Sequence, residues 1–397
     1  MSALLTPANE AEVAQLVAAA AASREPLAIE GNGSKRALLR PVQAARTLPT
    51  RGLTGITLYK PTELVLSARA GTPLPEIEAA LAEHGQMIAP EPPDTRALFG
   101  SDRPATLGGI VATNLSGPRR ITAGAMRDHV LGVRFVNGAG EVQRNGGRVL
   151  KNVTGLDLCK LLTGSYGTLG VLTEVTIKVL PGTEASATLA VRVPDLTAGV
   201  RALSAGLTSP YGVTGAALLA EGTALGLSGP VALLRLEDFV ESVSYRGARL
   251  REDLAAHGAV SLVEHHASRA LWRSVRDAAP LGATAEEAIW RVSVRPSAAP
   301  AVAAALQAAF GARLLFDWGG GLVWIAGPAT QAAHEAVVAA ASASHGSHTL
   351  FRAPEPLRAA VSVLPAEPPA LAAIGARVKA AMDPAGVLNP GRMRAGL

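Results

Sequence analysis

A single cysteine, Cys159, stands in 397 residues. It excludes an intrachain disulfide, leaves too few thiolates for an iron–sulfur cluster, and fits a reducing cytoplasm. Aromatics are scarce as well, at 4%, so a core has to be built from alanine, valine and leucine. Lysine occurs only at 35, 60, 151, 160, 178 and 379, and arginine carries most of the positive charge behind a net +5. The arginines are scattered, with Arg119-Arg120 the best local pair, and no basic stripe interleaved with aromatics is present to hold nucleic acid. No apolar run is long enough to span a bilayer, and Met1–Glu10 lacks the basic and apolar regions of a signal peptide. A cytoplasmic protein is expected, with any membrane contact made through a partner. Histidines do not gather into a metal site. His265-His266 are adjacent and, on a strand, would point opposite ways, while His345 and His348 have no suitably spaced carboxylate.

What is present points to a loop-rich protein with a sizeable core. The hydrophobic fraction is 48%, with 41 glycines and 27 prolines, and the length suggests two or three folding units. Thr6-Pro7 reads as a helix start, with Val13, Leu16, Val17 and Ala20 as the buried stripe. A strand at Leu27–Glu30 runs into Gly31-Asn32-Gly33-Ser34-Lys35. Further strands are expected at Gly55–Leu58 and Leu64–Ala68, and a helix through Leu74, Ile77 and Leu81. Val130–Val136 and Gly140–Arg144 read as a hairpin. Asp157–Leu162 is a short helix, and Val171–Leu180 a strand with one buried side. Pro181-Gly182 closes this first unit. Beyond it, alanine-rich helical stretches alternate with strands such as Ala232–Leu236, Trp290–Val294 and Leu322–Ala326, and Leu371–Met382 reads as a final helix.

Three glycine-rich stretches carry the chemistry. Gly31–Lys35 follows a strand, as a phosphate cradle should: glycines let backbone N–H groups converge on an anion, with Ser34 adding a hydroxyl and Lys35 a charge. An ordinary tight turn reads equally well from this loop alone. Neither a phosphate-binding G-x-x-x-x-G-K-[ST] loop nor the dinucleotide fingerprint G-x-G-x-x-G fits it. Gly164–Gly170 also fails the fingerprint, which disfavours a nicotinamide cofactor. Between them lie Thr106-Leu107-Gly108-Gly109, Thr113, Ser116-Gly117 and Arg127-Asp128. Such a density of small residues suggests backbone lying against a large dinucleotide such as FAD.

In order, Gly31–Ser34, Ala105–Asn114, Arg127–Val133, Lys151–Leu158 and Gly164–Thr173 resemble the FAD-binding domain of the vanillyl-alcohol-oxidase (PCMH-type) superfamily. The tail Asp383–Met393 looks like the return to flavin seen in its 2-hydroxyacid branch. Ser116–Arg120, Gly124–Asp128, Asp317–Gly320 and Thr349–Arg352 are similar to stretches of the FAD-binding E subunits of bacterial glycolate oxidases. The resemblance implies an α+β fold: a PCMH-type domain of two α+β subdomains over 1–182, an α+β cap with an antiparallel sheet over 183–365, and a returning segment over 366–397. It implies FAD contacts from Gly31, Asn32, Gly33, Ser34 and Lys35 at the pyrophosphate. Thr106, Leu107, Gly108, Gly109, Thr113, Ser116, Gly117, Arg127 and Asp128 would lie along the flavin, Gly167, Thr168, Gly170 and Val171 toward the adenine, and Asn389 in the tail. Some relatives attach FAD through a histidine near the first loop; none is present here, so FAD is expected to be non-covalent. Cys159 reads as core packing.

Oxidation of a 2-hydroxy acid needs a cation for the carboxylate and a base for the hydroxyl. Arg291, His348 and Arg352 are the candidates, Arg291 on a strand and the other two as a loop pair. The resemblance further implies a catalytic D-type flavoprotein subunit and an iron–sulfur subunit as partners, glycolate as substrate, and association with the inner membrane through the complex only. A stand-alone FAD oxidase of another 2-hydroxy acid and a flavin-holding subunit without catalysis remain as alternatives.

Overall fold

The computed structural model describes residues 3–148 and 155–396. The Lys151–Thr154 part of the Lys151–Leu158 stretch therefore lies outside the described residues. The chain divides into two compact units: residues 1–116, 124–182 and 366–397 form the first, and residues 117–123 and 183–365 the second. Both mix helix and sheet, the α+β class expected. No described helix is long and apolar enough to cross a membrane.

Among the described residues, the first unit contains three sheets. Strands β1 (Ala3–Leu4), β2 (Leu27–Glu30) and β3 (Arg46–Pro49) pair in parallel in the order β1-β3-β2. β4 (Ile56–Lys60), β5 (Val65–Arg69), β7 (Val130–Val136), β8 (Val142–Gly146) and β9 (Val171–Lys178) form an antiparallel sheet ordered β4-β5-β9-β7-β8. β6 (Gln86–Met87) and β10 (Leu180–Pro181) make a short ribbon. The helix Glu10–Ser23 packs Val13, Val17 and Ala20 into a core with Leu27, Leu48, Val136, Val171 and Leu388. It starts later than Thr6-Pro7 suggests. Asn9 is the cap, its Oδ1 accepting from Glu12 N at 2.9 Å while Glu12 accepts from Ala8 N. An asparagine followed by glutamate at the third helical position satisfies two end donors at once, and outcompetes a threonine with no such partner. β9 also departs from expectation. Leu172 and Thr176 are buried along with Val171, Val175 and Ile177, because the strand sits between two others and is covered on both faces.

The second unit is built on one eight-stranded antiparallel sheet. Its strands are β11 (Ala185–Arg192), β12 (Gly215–Leu219), β13 (Val231–Asp238), β14 (Ala259–Glu264), β15 (Ala288–Ser293), β16 (Arg313–Asp317), β17 (Leu322–Gly327) and β18 (Ser347–Arg352), ordered β14-β11-β13-β12-β16-β17-β15-β18. His348 and Arg352 are thus strand residues rather than a loop pair. His265 and His266 open a helix, His265–Arg276, instead of lying on a strand. That helix covers one face of the sheet: Trp272 Nε1 donates to Thr188 Oγ1 at 2.8 Å, and the Arg235 guanidinium stacks on the indole. The helix Leu196–Thr208 covers the other face, meeting Leu218 and Leu234 through Gly199 and Gly206.

Candidate functional site

In the first unit, β2 ends at Glu30 and the chain turns through Gly31–Lys35 onto the segment preceding the helix Leu107–Thr113. Asn32 Nδ2 donates to Pro104 O at 3.0 Å and ties the two together. The approach at Gly31 is close: a Cβ there would stand 2.2 Å from Thr106 Oγ1. Thr106 Oγ1 in turn accepts from Gly109 N at 3.2 Å. A side chain at Gly109 would lie 3.6 Å from Lys35 Nζ. Gly31, Thr106, Gly109 and the Lys35 ammonium are therefore close neighbours.

Lys35 gives that cluster its charge. Its ammonium is buried, and its hydrogen-bond partner is the Ser34 hydroxyl at 3.3 Å. Burial, and then the nearby Arg392 cation, push the amine down to about 8, against the pull of Asp94. A buried cation met by a hydroxyl and a second cation is costly unless an anion completes it. Next to Asp94, the Thr95 hydroxyl is buried with no hydrogen-bond partner. These features fit the diphosphate of a dinucleotide.

The tail braces this loop from 360 residues away. Asn389 Oδ1 accepts from Ile29 N at 2.7 Å, and Nδ2 donates to Ile29 O at 3.2 Å and Tyr166 O at 2.8 Å. Its backbone N–H donates to Leu27 O. The side chain extends β2 and joins it to the 164–170 loop. Gly167, at φ +72, passes so close that a Cβ would come within 2.8 Å of Asn389 Nδ2. Arg392 donates to Lys35 O at 3.1 Å and to Arg40 O at 3.2 Å, engaging the carbonyl side of the first loop. Lys379 Nζ bridges Thr168 O, Asp383 and Leu388 O.

The remaining expected cofactor contacts are placed less directly. Gly108 packs against Ala70, and Gly170 against Phe135 and Val136. Leu107 and Val171 are core residues. Thr113 Oγ1 donates back to Gly109 O, and Ser116 Oγ accepts from Met126 N. Arg127 and Asp128 are exposed; Asp128 caps the turn after Ala125. Gly117 belongs to the second unit, where its carbonyl accepts from Trp318 Nε1 at 3.1 Å. Lys379, Arg392 and Thr95 were not singled out from the sequence. Arg392 lies inside the tail motif, which offered a signal for it; Lys379, in the helix before that motif, and Thr95 offered none.

In the second unit the three candidate catalytic residues do not converge. Arg291 pairs in register with Trp324 and Thr349, and its guanidinium lies 4.7 Å from the Trp324 ring and 5.7 Å from Phe351. His348 pairs with Val292, one residue along, so it points to the opposite face of the sheet. There its ring meets His334, which accepts from Trp290 Nε1 at 3.2 Å. Burial lowers the affinity of both imidazoles for protons, and His348 Nε2 has no hydrogen-bond partner. Arg352 donates to the carbonyls of Thr284 and Glu287.

Comparison with known proteins bears on the family and the fold. Residues 1–146 match the family model described as "FAD binding domain". The glycolate oxidase subunit GlcE of Escherichia coli (strain K12) is 37% identical over 380 residues, covering 95% of this chain and 95% of that one. The chain belongs to the GlcE family. A second relative, glycolate oxidase subunit GlcD of Bacillus subtilis (strain 168), is 27% identical over 203 residues, covering 51% of this chain and 42% of that one. Among solved structures, p-cresol methylhydroxylase with substrate bound superposes with a TM-score of 0.76 at 13% identity, covering 99% of this chain and 88% of that one. The GlcE family member thus carries the PCMH-type fold that the resemblance implied and the FAD-binding domain that its glycine-rich loops suggested.

Proposed function

We propose that the chain is the FAD-binding subunit of a glycolate oxidase and takes part in oxidising glycolate to glyoxylate. The similarity to GlcE along nearly the whole of both chains carries this reading. It is an FAD-dependent oxidoreductase acting within a multi-subunit enzyme. Bound non-covalently, FAD supplies the two-electron acceptor that turning a hydroxyl into a carbonyl requires.

The chain's own residues divide the remaining work. Lys35, with the Ser34 hydroxyl, neutralises the diphosphate. Gly31, Gly33 and Gly109 keep side chains out of its way, and the Arg392 side chain holds the first loop through its carbonyls. Asn32, Thr106 and Thr168 fix the neighbouring backbone, and Asn389 fastens β2 to the 164–170 loop. Arg291 receives the carboxylate of the acid. This assignment is supported by the aromatic rings around its guanidinium, which strengthen a charge pair by excluding water. His348 and Arg352 support the second unit's packing rather than the same carboxylate. The finer composition follows the same reading: a D-type flavoprotein and an iron–sulfur subunit complete the enzyme, and the complex brings this chain to the inner membrane.

The test is a visible spectrum of the purified chain before and after anaerobic glycolate, alone and assembled with a D-type subunit. Flavin bands that bleach in the assembly support the reading. Bleaching in the isolated chain would make it an oxidase in its own right, and absence of flavin after reconstitution would sink the proposal.

A further inference from the structure

The Arg119-Arg120 pair stands apart from the scattered arginines, and the flavin site makes no use of it. The chain leaves the first unit after Ser116, and Gly117–Ala123 folds with the second. Three contacts hold this excursion. Trp318 Nε1 donates to Gly117 O at 3.1 Å. Arg119 grips Glu237 with two hydrogen bonds of 3.0 and 2.9 Å. The Arg120 guanidinium lies over the Trp318 indole, 4.5 Å from its centroid.

The two arginines differ in what they find. Glu237 is saturated by Arg119, by Arg235 at 3.1 Å and by Thr214 at 2.8 Å. Arg120, by contrast, has no carboxylate partner among the described residues. A second guanidinium, that of Arg291, stands 5.4 Å from the centroid of the same indole. Trp318 itself is held in the left-handed region at φ +54, with its N–H donating to Asp317 Oδ1 at 2.7 Å. A bulky residue occupies that region only when its surroundings impose it, and such strain gathers at ligand sites. Two guanidiniums gathered on one ring repel each other, and cation–π attraction offsets that repulsion in part.

We infer that Arg120 and Arg291 form a two-guanidinium site on Trp318 for the carboxylate of a small hydroxy or oxo acid. This rests on the reading of the chain as a glycolate oxidase subunit. Each guanidinium offers paired N–H donors in the geometry of a carboxylate edge. Two of them can take the adjacent oxygens of a two-carbon acid, so Arg120 adds selectivity for acids oxygenated at the second carbon.

Oxalate, which cannot be oxidised as an alcohol, is the probe. Its binding to the FAD-loaded full chain is measured by calorimetry and by tryptophan fluorescence. Saturable binding is expected, weakened roughly 10- to 100-fold in Arg120→Gln and again in Arg291→Gln, with Arg120→Lys recovering part of the loss. FAD content should stay at its wild-type value in Arg120→Gln, and the melting temperature should fall by no more than the loss of one cation–π contact on a half-buried side chain explains. Wild-type binding in Arg120→Gln, or no saturable binding in the wild type, overturns the inference. A complex that oxidises glycolate while Arg120→Gln still binds oxalate normally refutes the site and leaves the function standing. Arg120-dependent oxalate binding in a complex inert to glycolate does the reverse.

Discussion

Replacing Lys35 by methionine separates what the fold gains from the cradle from what the cofactor gains. The amine falls from its ordinary 10.5 to about 8, which corresponds to roughly 3 kcal/mol spent on burying the ammonium in the FAD-free protein. The sign follows from proton counting. Below about pH 8 both folded and unfolded chains carry the proton, and the folded state bears the whole penalty. Between about 8 and 10.5 the folded state releases it first, so the stability of the apoprotein contributed by this group rises with pH. FAD reverses the preference, because a diphosphate favours the ammonium. Urea unfolding of apoprotein at pH 7 and pH 9.5 should therefore show a pH-dependent gain in the wild type that Lys35→Met lacks. Lys35→Met apoprotein should also be the more stable at pH 7. FAD affinity, followed by flavin fluorescence, should weaken roughly 10- to 100-fold in Lys35→Met and fall with pH above 8 only in the wild type. Equal FAD affinity in the two proteins, with the same pH profile, would refute the reasoning.

Three further outcomes are expected. Asn389→Ala removes the three side-chain hydrogen bonds to Ile29 and Tyr166 and should cost roughly 2–4 kcal/mol in urea unfolding; a change under half that would mean the tail does not brace β2. Glu237 is held down at about 2, chiefly by Arg235 and Arg119 against the cost of its burial. Its stabilisation is complete above the ordinary carboxylate value of 4.5 and disappears as the pH falls toward 2. Glu237→Gln, which strands two arginines, should lower stability at pH 7 by about 3–5 kcal/mol and flatten the melting profile below pH 4.5. Burial pushes the Cys159 thiol up to about 11, so native protein should resist Ellman's reagent at pH 8 and react once unfolded.

The strand-to-loop junction at Glu30–Gly31, the hairpin at 130–146 and the glycine pattern of 164–170 were legible because each is decided by neighbours in sequence. The cap of the first helix was misplaced for a local reason: Asn9 and Glu12 act as a pair, and the Thr6-Pro7 signal concealed it. The candidate site was legible in part. Gly31, Gly33 and Lys35 were found as a loop, but a loop alone does not say whether its lysine is solvated or buried.

Sequence by itself determined the class of the protein: a mixed helix-and-sheet chain with too few cysteines for a cluster, no basic stripe, and glycine-rich loops in the order of an FAD-binding domain. Tertiary structure decided which side chains those loops leave available. Asn389 was expected at the flavin, yet its amide is taken up by Ile29 and Tyr166. Arg291 and His348 were both candidates for the substrate site, but strand register sends them to opposite faces of one sheet. Arg120 meets Trp318 because the chain crosses into the second unit for the length of one short segment. Register and long-range packing arise from contacts between residues far apart in the chain, and no local pattern of side chains encodes them.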